Sequence, residues 1–380
     1  MKIGILTLPL HTNYGGILQA SALQTILERM GHNVVVIDKS RYKYLPVWKA
    51  PFVYVCRLFK NIFLKKKIGI RYEKYYNNCL RRDEITQQYT RPFIEKHIRS
   101  LPINSFKELQ ESDYEAIVVG SDQIWRTIYT NMLLDSTTAA YLDFAKDWKN
   151  LKRVAYAVSF GTDVWEYSNI DTKKCRKLIK KFDAVSVREN DGVEKCRKYL
   201  NYEKVVHVLD PTFLLESCDY MKLVPNEAEK SKGSLLCYIM DLTTEKQELI
   251  NRFAKIRDLV PFSVNSKVDD WSAPMKERIQ PSVEQWLKGF HDAEFVITDS
   301  FHACVFSIIF KKQFIVVGNV NRGLSRFESL LGTFGLMSRM ISSDSNIEEF
   351  GEIDFDVVYG KLDDCKKKSI EFLKEALNGS

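Results

Sequence analysis

No stretch of this 380-residue chain approaches the ~20 uninterrupted apolar residues of a membrane-crossing helix, so none is expected. No two of the eight cysteines (56, 79, 175, 196, 218, 237, 304 and 365) stand at a Cys-x-x-Cys spacing, which argues against a zinc site and against a disulfide framework. Histidine is scarce. The adjacent acids Asp269-Asp270 and Asp363-Asp364 have no histidine or third carboxylate at ligand spacing, so no metal site is expected and both pairs read as solvated surface. Met1 to Leu6 runs straight into an apolar strand, without the basic region, longer apolar run and small-residue cleavage site of a signal peptide. The expectation is a protein of the reducing cytoplasm. Internal repeats and low-complexity tracts are also lacking, and with 45% hydrophobic and 28% charged residues disorder is not expected. A chain of this length exceeds one typical core, which suggests two domains.

The net charge of +7 is concentrated in one segment. Between Lys39 and Arg82 there are 13 Lys/Arg against the single acid Glu73, a local balance of +12, so the remainder of the chain is acidic. The segment interleaves Trp48, Phe52, Tyr54, Phe59 and Phe63 with Lys60 and the run Lys65-Lys66-Lys67. Such a mix suits an interfacial segment on an anionic membrane, each basic residue near the surface contributing about 1 kcal/mol. The competing reading is a helical insertion whose aromatic face packs on the first domain. No signature of a nucleic-acid-binding module accompanies the tract, so nucleic acid is not expected as a partner.

Residues 2–8 read as a buried strand, Gly16 to about Met30 as an amphipathic helix ending at Gly31, and residues 33–38 as the next strand. That succession predicts a βαβ unit with a parallel pair. Strands are predicted near 114–119, 154–160, 184–188 and 205–209, with helices over 173–182 and 191–200. After a polar stretch near 216–232 containing Pro225, a second alternation follows: strands 235–240, 261–265, 294–298 and 314–318, with helices 245–258, 283–290 and 301–310. The expected architecture is α/β, two doubly wound Rossmann-like domains facing a cleft. The first covers 1–220 and carries a basic aromatic helical insertion at about 39–100; the second covers 221–380, its last helix (362–377) packing back on the first.

In such sheets ligands bind at the carboxyl ends of the strands, and four loops there carry polar clusters. Asn13-Tyr14-Gly15-Gly16 opens the first helix, where backbone N–H groups and the helix dipole suit an anion or a sugar; the bland alternative is a tight βα turn. It is not a G-x-G-x-x-G fingerprint, so no dinucleotide is implied. Ser121-Asp122-Gln123 with Trp125 offers hydroxyl-binding groups beside an aromatic platform, against an Asx-type turn and a core tryptophan. Arg188 ends a strand and can fork onto a carboxylate or phosphate, against a simple pairing with Glu189. Asp210-Pro211-Thr212 reads as structural. The sharpest cluster is Thr298-Asp299-Ser300-Phe301-His302, which places His302 in a first helical turn, suited to acid–base work or to holding a phosphate. Arg322 and Arg326 follow the next strand.

Taken together and in this order, Thr7-Leu8-Pro9-Leu10-His11-Thr12-Asn13-Tyr14-Gly15-Gly16, Gly120-Ser121-Asp122-Gln123-Ile124-Trp125, Ser186-Val187-Arg188-Glu189, Asp210-Pro211-Thr212 and Thr298-Asp299-Ser300-Phe301-His302 resemble the polysaccharide pyruvyl transferase family. The resemblance implies a fold similar to two-Rossmann (GT-B-type) glycosyltransferases, phosphoenolpyruvate as donor, and a pyruvate ketal on a sugar of a bacterial surface polysaccharide or its lipid-linked precursor. No cofactor is implied beyond this co-substrate, and the protein would work in the cytoplasm or peripherally on the inner face of the membrane. Some members carry Arg where this chain has Ser300, so the donor contact there falls to Arg322 or Arg326; Ala303 also replaces a frequent Gly. The implied roles are acid or phosphate holder for His302 and anion clamp for Arg188, with Ser300, Arg322 and Arg326 also at the donor. Asp122 is the candidate base for the sugar hydroxyl. Asn13, Tyr14, Gly15, Gly16, Ser121, Gln123 and Trp125 are candidates for the acceptor. Two other functions stand beside this one: a glycosyltransferase using a nucleotide sugar, and a non-catalytic adaptor in polysaccharide assembly.

Overall fold

A computed structural model describes residues 1–42, 47–64, 72–318, 323–342, 345 and 351–378. Seven strands, β1 (Lys2–Leu6), β2 (Asn33–Lys39), β3 (Ser100–Ile103), β4 (Ala116–Val119), β5 (Lys152–Val158), β6 (Ala184–Val187) and β7 (Val205–His207), form one sheet in the order β3-β2-β1-β4-β5-β6-β7. Five more, β8 (Leu235–Tyr238), β9 (Pro261–Phe262), β10 (Phe295–Thr298), β11 (Gln313–Val317) and β12 (Met340–Ile341), form the second in the order β12-β11-β10-β8-β9. Every pairing in both sheets is parallel. The chain is thus α/β with two doubly wound Rossmann-like domains. The strand order reverses between β1 and β4 in the first sheet and between β8 and β10 in the second, and a crevice opens at such switch points.

The central strands are apolar because helices cover both faces of a parallel sheet. All four residues of β4 and of β10 are buried. Two edge strands escape the sequence reading. β3 carries Pro102, which a central strand would exclude but an edge tolerates, and β12 has only two residues. The strand predicted over 261–265 stops at Phe262, and that over 205–209 stops at His207.

The helix Tyr14–Arg29 starts where the Asn13 side chain accepts from the Gly16 N–H at 3.2 Å. It packs toward the second domain: the Tyr14 hydroxyl donates to the Pro281 carbonyl at 2.7 Å, and its ring stacks on Trp286 with centroids 5.4 Å apart. One apolar cluster runs through this contact, from Ile3 and Val36 of the first sheet to Phe306 and Leu373. The last helix, Phe355–Asn378, crosses back to the first domain, where Ser369 Oγ accepts from the Leu209 N–H at 3.0 Å and Lys152 Nζ donates to the Leu377 carbonyl at 2.8 Å.

The insertion after β2 contains the helices Ala50–Phe63, Tyr72–Thr86 and Arg91–His97. Phe93 of the last of these packs into the first domain's core, but Trp48, Phe52, Phe59 and Phe63 are exposed, so the aromatics of the basic stretch do not pack there as the packed-insertion reading requires. The run Lys65-Lys66-Lys67 lies outside the described residues. Among the described residues no helix is long and apolar enough to cross a membrane.

Candidate active site at the domain junction

The carboxyl ends of both sheets meet, and the predicted clusters meet with them. Arg188 leaves β6 fully engaged: Nη1 donates to Asp210 Oδ2 at 2.7 Å, Nε to Glu189 Oε1 at 3.1 Å and Nη2 to Asp122 Oδ1 at 3.4 Å. Its guanidinium carbon lies 4.2 Å from the centroid of the Phe301 ring, contributed by the other domain. Burial opposes the charge, but the Glu189, Asp210 and Asp122 carboxylates outweigh it and raise the guanidinium above its usual range. An arginine with a carboxylate on each of its three nitrogens in a dry environment is held in place by those carboxylates.

Asp210, which read as structural in the sequence, is the hub. Its Oδ1 accepts from the Thr212 N–H at 3.0 Å and from Thr212 Oγ1 at 2.7 Å, while Oδ2 takes Arg188. The same Oδ2 lies 3.6 Å from His302 Nε2, an ion-pair separation slightly too long for a hydrogen bond. Burial pushes the Asp210 carboxyl up, but His302 and then Arg188 dominate and hold it well below the usual carboxylate range. His302 arrives from the first turn of the helix Phe301–Ile309, which follows β10. Its other nitrogen faces the Asn13–Gly16 turn: a Cβ at Gly15 would stand 2.0 Å from His302 Nδ1, so only glycine admits the ring there. The imidazole is therefore pinched between the first helix of one domain and a carboxylate at the end of β7.

Arg326, in the helix Ser325–Phe334, is buried near Asp122, Glu189 and Arg188. Burial, then the like charge of Arg188, push it down to about 10. Ser300 precedes Phe301 half-buried and makes no side-chain cap bond; its N–H donates to Thr298 Oγ1 at 3.0 Å. Asp299 instead ties the switch point together, accepting from Met240 N at 2.6 Å, Asp241 N at 3.2 Å and Lys246 Nζ at 2.6 Å. Arg322 lies outside the described residues.

Several acceptor candidates have other duties. Trp125 is no sugar platform: its ring is fully buried, stacks on Tyr141 at 4.5 Å and donates Nε1–H to the Ala140 carbonyl at 3.2 Å. Tyr14 is spent on the interdomain contact. Ser121 is fully buried, with N–H on Gln19 Oε1 at 2.7 Å and Oγ on the Ala157 carbonyl at 2.7 Å. Gln123 accepts from Arg126 Nη1 at 3.1 Å. Asp122 sits on Arg188 with a left-handed φ of 56°. Gly120 before it has φ 141°, and a Cβ there would come within 2.0 Å of the Tyr156 carbonyl. Of the first turn, Asn13 is exposed and Gly16 half-buried, while Gly15 underlies His302.

The sequence model of the family described as polysaccharide pyruvyl transferase matches residues 13–321, a span that begins at the N-cap of the first helix and encloses Asp122, Arg188, Asp210 and His302. The chain belongs to the polysaccharide pyruvyl transferase family. Among curated proteins none matches it in sequence. Similar solved structures include the UDP-GlcNAc 2-epimerase of Methanocaldococcus jannaschii, 12% identical, covering 96% of this chain and 92% of that one at a TM-score of 0.49. The UDP-GlcNAc 2-epimerase of Neisseria meningitidis bound to UDP-GlcNAc is 11% identical over 100% and 98% of the two chains, TM-score 0.43. The glycotransferase of kitacinnamycin is 9% identical over 99% and 94%, TM-score 0.43. Likeness at this level is one of fold alone. In this pyruvyl transferase family member, the motif residues of the two sheets converge on one buried carboxylate, Asp210, which faces both Arg188 and His302. Among the described residues no group of three or more His, Cys, Asp or Glu is placed to hold a metal ion.

Proposed function

We propose that the chain transfers the pyruvyl group of phosphoenolpyruvate to two hydroxyls of a sugar in a surface polysaccharide or its precursor, forming a ketal and releasing phosphate. The observation that carries this reading is His302: an imidazole from one domain held between Gly15 and Asp210 of the other, in a member of this family. Asp210 faces Nε2 while Nδ1 packs on Gly15, so the ring reaches the donor once the two domains part. In the reaction the enol methylene accepts a proton from His302 and becomes the methyl group. One sugar hydroxyl attacks C2, phosphate departs, and the second hydroxyl closes the ketal. Of the two hydroxyl protons one replaces that lent by His302 and the other leaves with phosphate. The donor's charge calls for Arg326 and the first-turn N–H groups of the helix Phe301–Ile309, because each nitrogen of Arg188 already meets a carboxylate. Arg188 and Asp122 are then positioning residues.

The test is phosphate release from phosphoenolpyruvate with candidate sugar acceptors, by wild type and His302→Ala. Turnover is expected to fall at least about 10²-fold in the variant with donor affinity retained. Near-wild-type turnover removes the role of His302. Thermal protection by UDP or CMP sugars and none by phosphoenolpyruvate removes the pyruvyl-transfer reading.

A further inference from the structure

The helix Ala50–Phe63 presents an apolar stripe to solvent. Trp48, Phe52, Val55, Phe59 and Ile62 recur at intervals of four, three, four and three residues, the spacing of one helix face, and are between 60 and 77% exposed. Phe59 and Phe63 stack with centroids 4.2 Å apart, which widens the stripe. The opposite face holds the helix to its neighbour Tyr72–Thr86: the Tyr54 hydroxyl donates to Glu73, and the Arg57 guanidinium covers the Tyr72 and Tyr75 rings at 4.9 and 5.7 Å. The pairing of the two helices is thus made on one side, and the aromatic stripe stays outside it. Monomeric soluble proteins rarely leave contiguous apolar surface of this kind uncovered.

Charge selects the occupant. Lys49 and Lys60 flank the stripe on its own helix, and Lys74 and Arg81 are exposed on the neighbour. The surrounding sequence, 39–82, carries 13 basic residues and one acid. A second copy of this chain would bring two such surfaces together and be repelled, whereas an anionic bilayer supplies both the apolar depth for the aromatics and the negative charge for the lysines. Topology gives the direction. All strands of the first sheet are parallel, so the insertion rises from the carboxyl end of β2, the same sheet edge that carries Asn13, Ser121, Arg188 and Asp210. We propose that the helix Ala50–Phe63, with the turn Val47–Lys49 before it, docks the protein on an anionic phospholipid surface through Trp48, Phe52, Val55, Phe59 and Ile62. Docking there would hold the site's edge toward the bilayer, and that part rests on the proposed function: the acceptor sugar would then be presented on a lipid.

The experiment uses the full chain and sedimentation with vesicles of phosphatidylcholine alone or mixed with phosphatidylglycerol. Wild type is expected to pellet with the mixed vesicles at about 50 mM salt, and at least about tenfold less with phosphatidylcholine or near 500 mM salt. Phe52→Ser with Phe59→Ser is expected to weaken binding at least about tenfold while circular dichroism and melting temperature stay those of wild type. Absence of binding at low salt overturns the proposal, as does a double variant that binds like wild type. A wild-type dimer in light scattering that the double variant dissolves, without vesicle binding, would assign the stripe to self-association instead. Phosphate release is not read in this assay, so its outcome is separate from that of the proposed chemistry.

Discussion

Replacing Asp210 with Asn removes one charge and almost no volume. At Oδ2 the carboxylate accepts from Arg188 at 2.7 Å, and at Oδ1 it accepts twice from Thr212, at 3.0 and 2.7 Å. An amide has one oxygen and one NH2, so Asn must turn its donor either on the guanidinium or on the Thr212 N–H. Either way a buried donor loses its acceptor, a loss of about 1–3 kcal/mol. Arg188 also drops from three carboxylates to two, Glu189 at 3.1 Å and Asp122 at 3.4 Å, so the loss stays below the full 3–5 kcal/mol of breaking a buried pair. A total of about 3 kcal/mol is expected. With an unfolding entropy of about 2.1 cal/mol/K per residue, it lowers the melting temperature by about 4 °C if all 380 residues unfold as one unit. The pH dependence carries a sign. The Asp210 carboxyl is held below its usual range in the folded protein, so its contribution is present above the unfolded value of about 4 and disappears as pH falls through the lower folded value. The gap between wild type and Asp210→Asn is therefore full at pH 7 and narrows from about pH 5 downward. Differential scanning fluorimetry across pH measures both. A variant that melts with wild type at pH 7, or a gap that widens in acid, would refute the account of this buried network.

Gly15→Ala puts a methyl group 2.0 Å from His302 Nδ1 and must displace the ring; with a fold that survives by circular dichroism, phosphate release is expected to fall about 10²-fold, and unchanged turnover would show that this nitrogen has no part in the reaction. Trp125→Ala is expected to destabilise by about 3–5 kcal/mol in thermal melts and to leave the acceptor KM of the folded enzyme unchanged; a raised KM without destabilisation would restore the tryptophan as a sugar platform.

What the sequence shows and what it hides divide along a physical line. Runs such as Ala116–Val119 and Phe295–Thr298 are legible because a strand covered on both faces must be apolar throughout. The polar clusters after them follow from the same rule, since chemistry collects where such strands end. Whether a residue after a strand faces the cleft or the core is a different matter. Trp125 follows a left-handed residue, Asp122, and the turn carries its ring into a core built with Tyr141 and Phe160, contacts that no spacing within the motif encodes. Arg188 shows the converse. Its pairing with the adjacent Glu189 could be read directly, but Asp122 lies 66 residues before it and Asp210 22 residues after it, and only the sheet order brings the three carboxylates around one guanidinium. Asp210 therefore read as a turn residue when it is the link between Arg188 and His302.

The same arithmetic of charge bears on how a donor is held. Around Arg188 and Arg326 stand three carboxylates, Asp122, Glu189 and Asp210, so the first domain's half of the site offers no surplus of positive charge. An anion is better met from the second domain, by Arg326 and the start of the helix Phe301–Ile309. Arg326 is buried beside a like charge, which pushes it down to about 10, and a bound carboxylate or phosphate would relieve that repulsion. Yet His302 and Arg326 are both buried, and Nδ1 of the imidazole is packed on Gly15. On the proposed reading a donor must enter by parting the domains. Tyr14 and Trp286 stack at one side of the junction, and at the helix Ser325–Phe334 the Phe213 and Phe334 rings meet with centroids 5.4 Å apart in the same apolar cluster, beside two polar contacts, Ser325 N to Asp163 Oδ1 at 3.3 Å and Asn190 N to Ser329 Oγ at 3.1 Å. Water can replace the two hydrogen bonds at little cost but neither ring pair, so parting the domains is expected to expose apolar surface at both places and to cost more than the polar contacts alone.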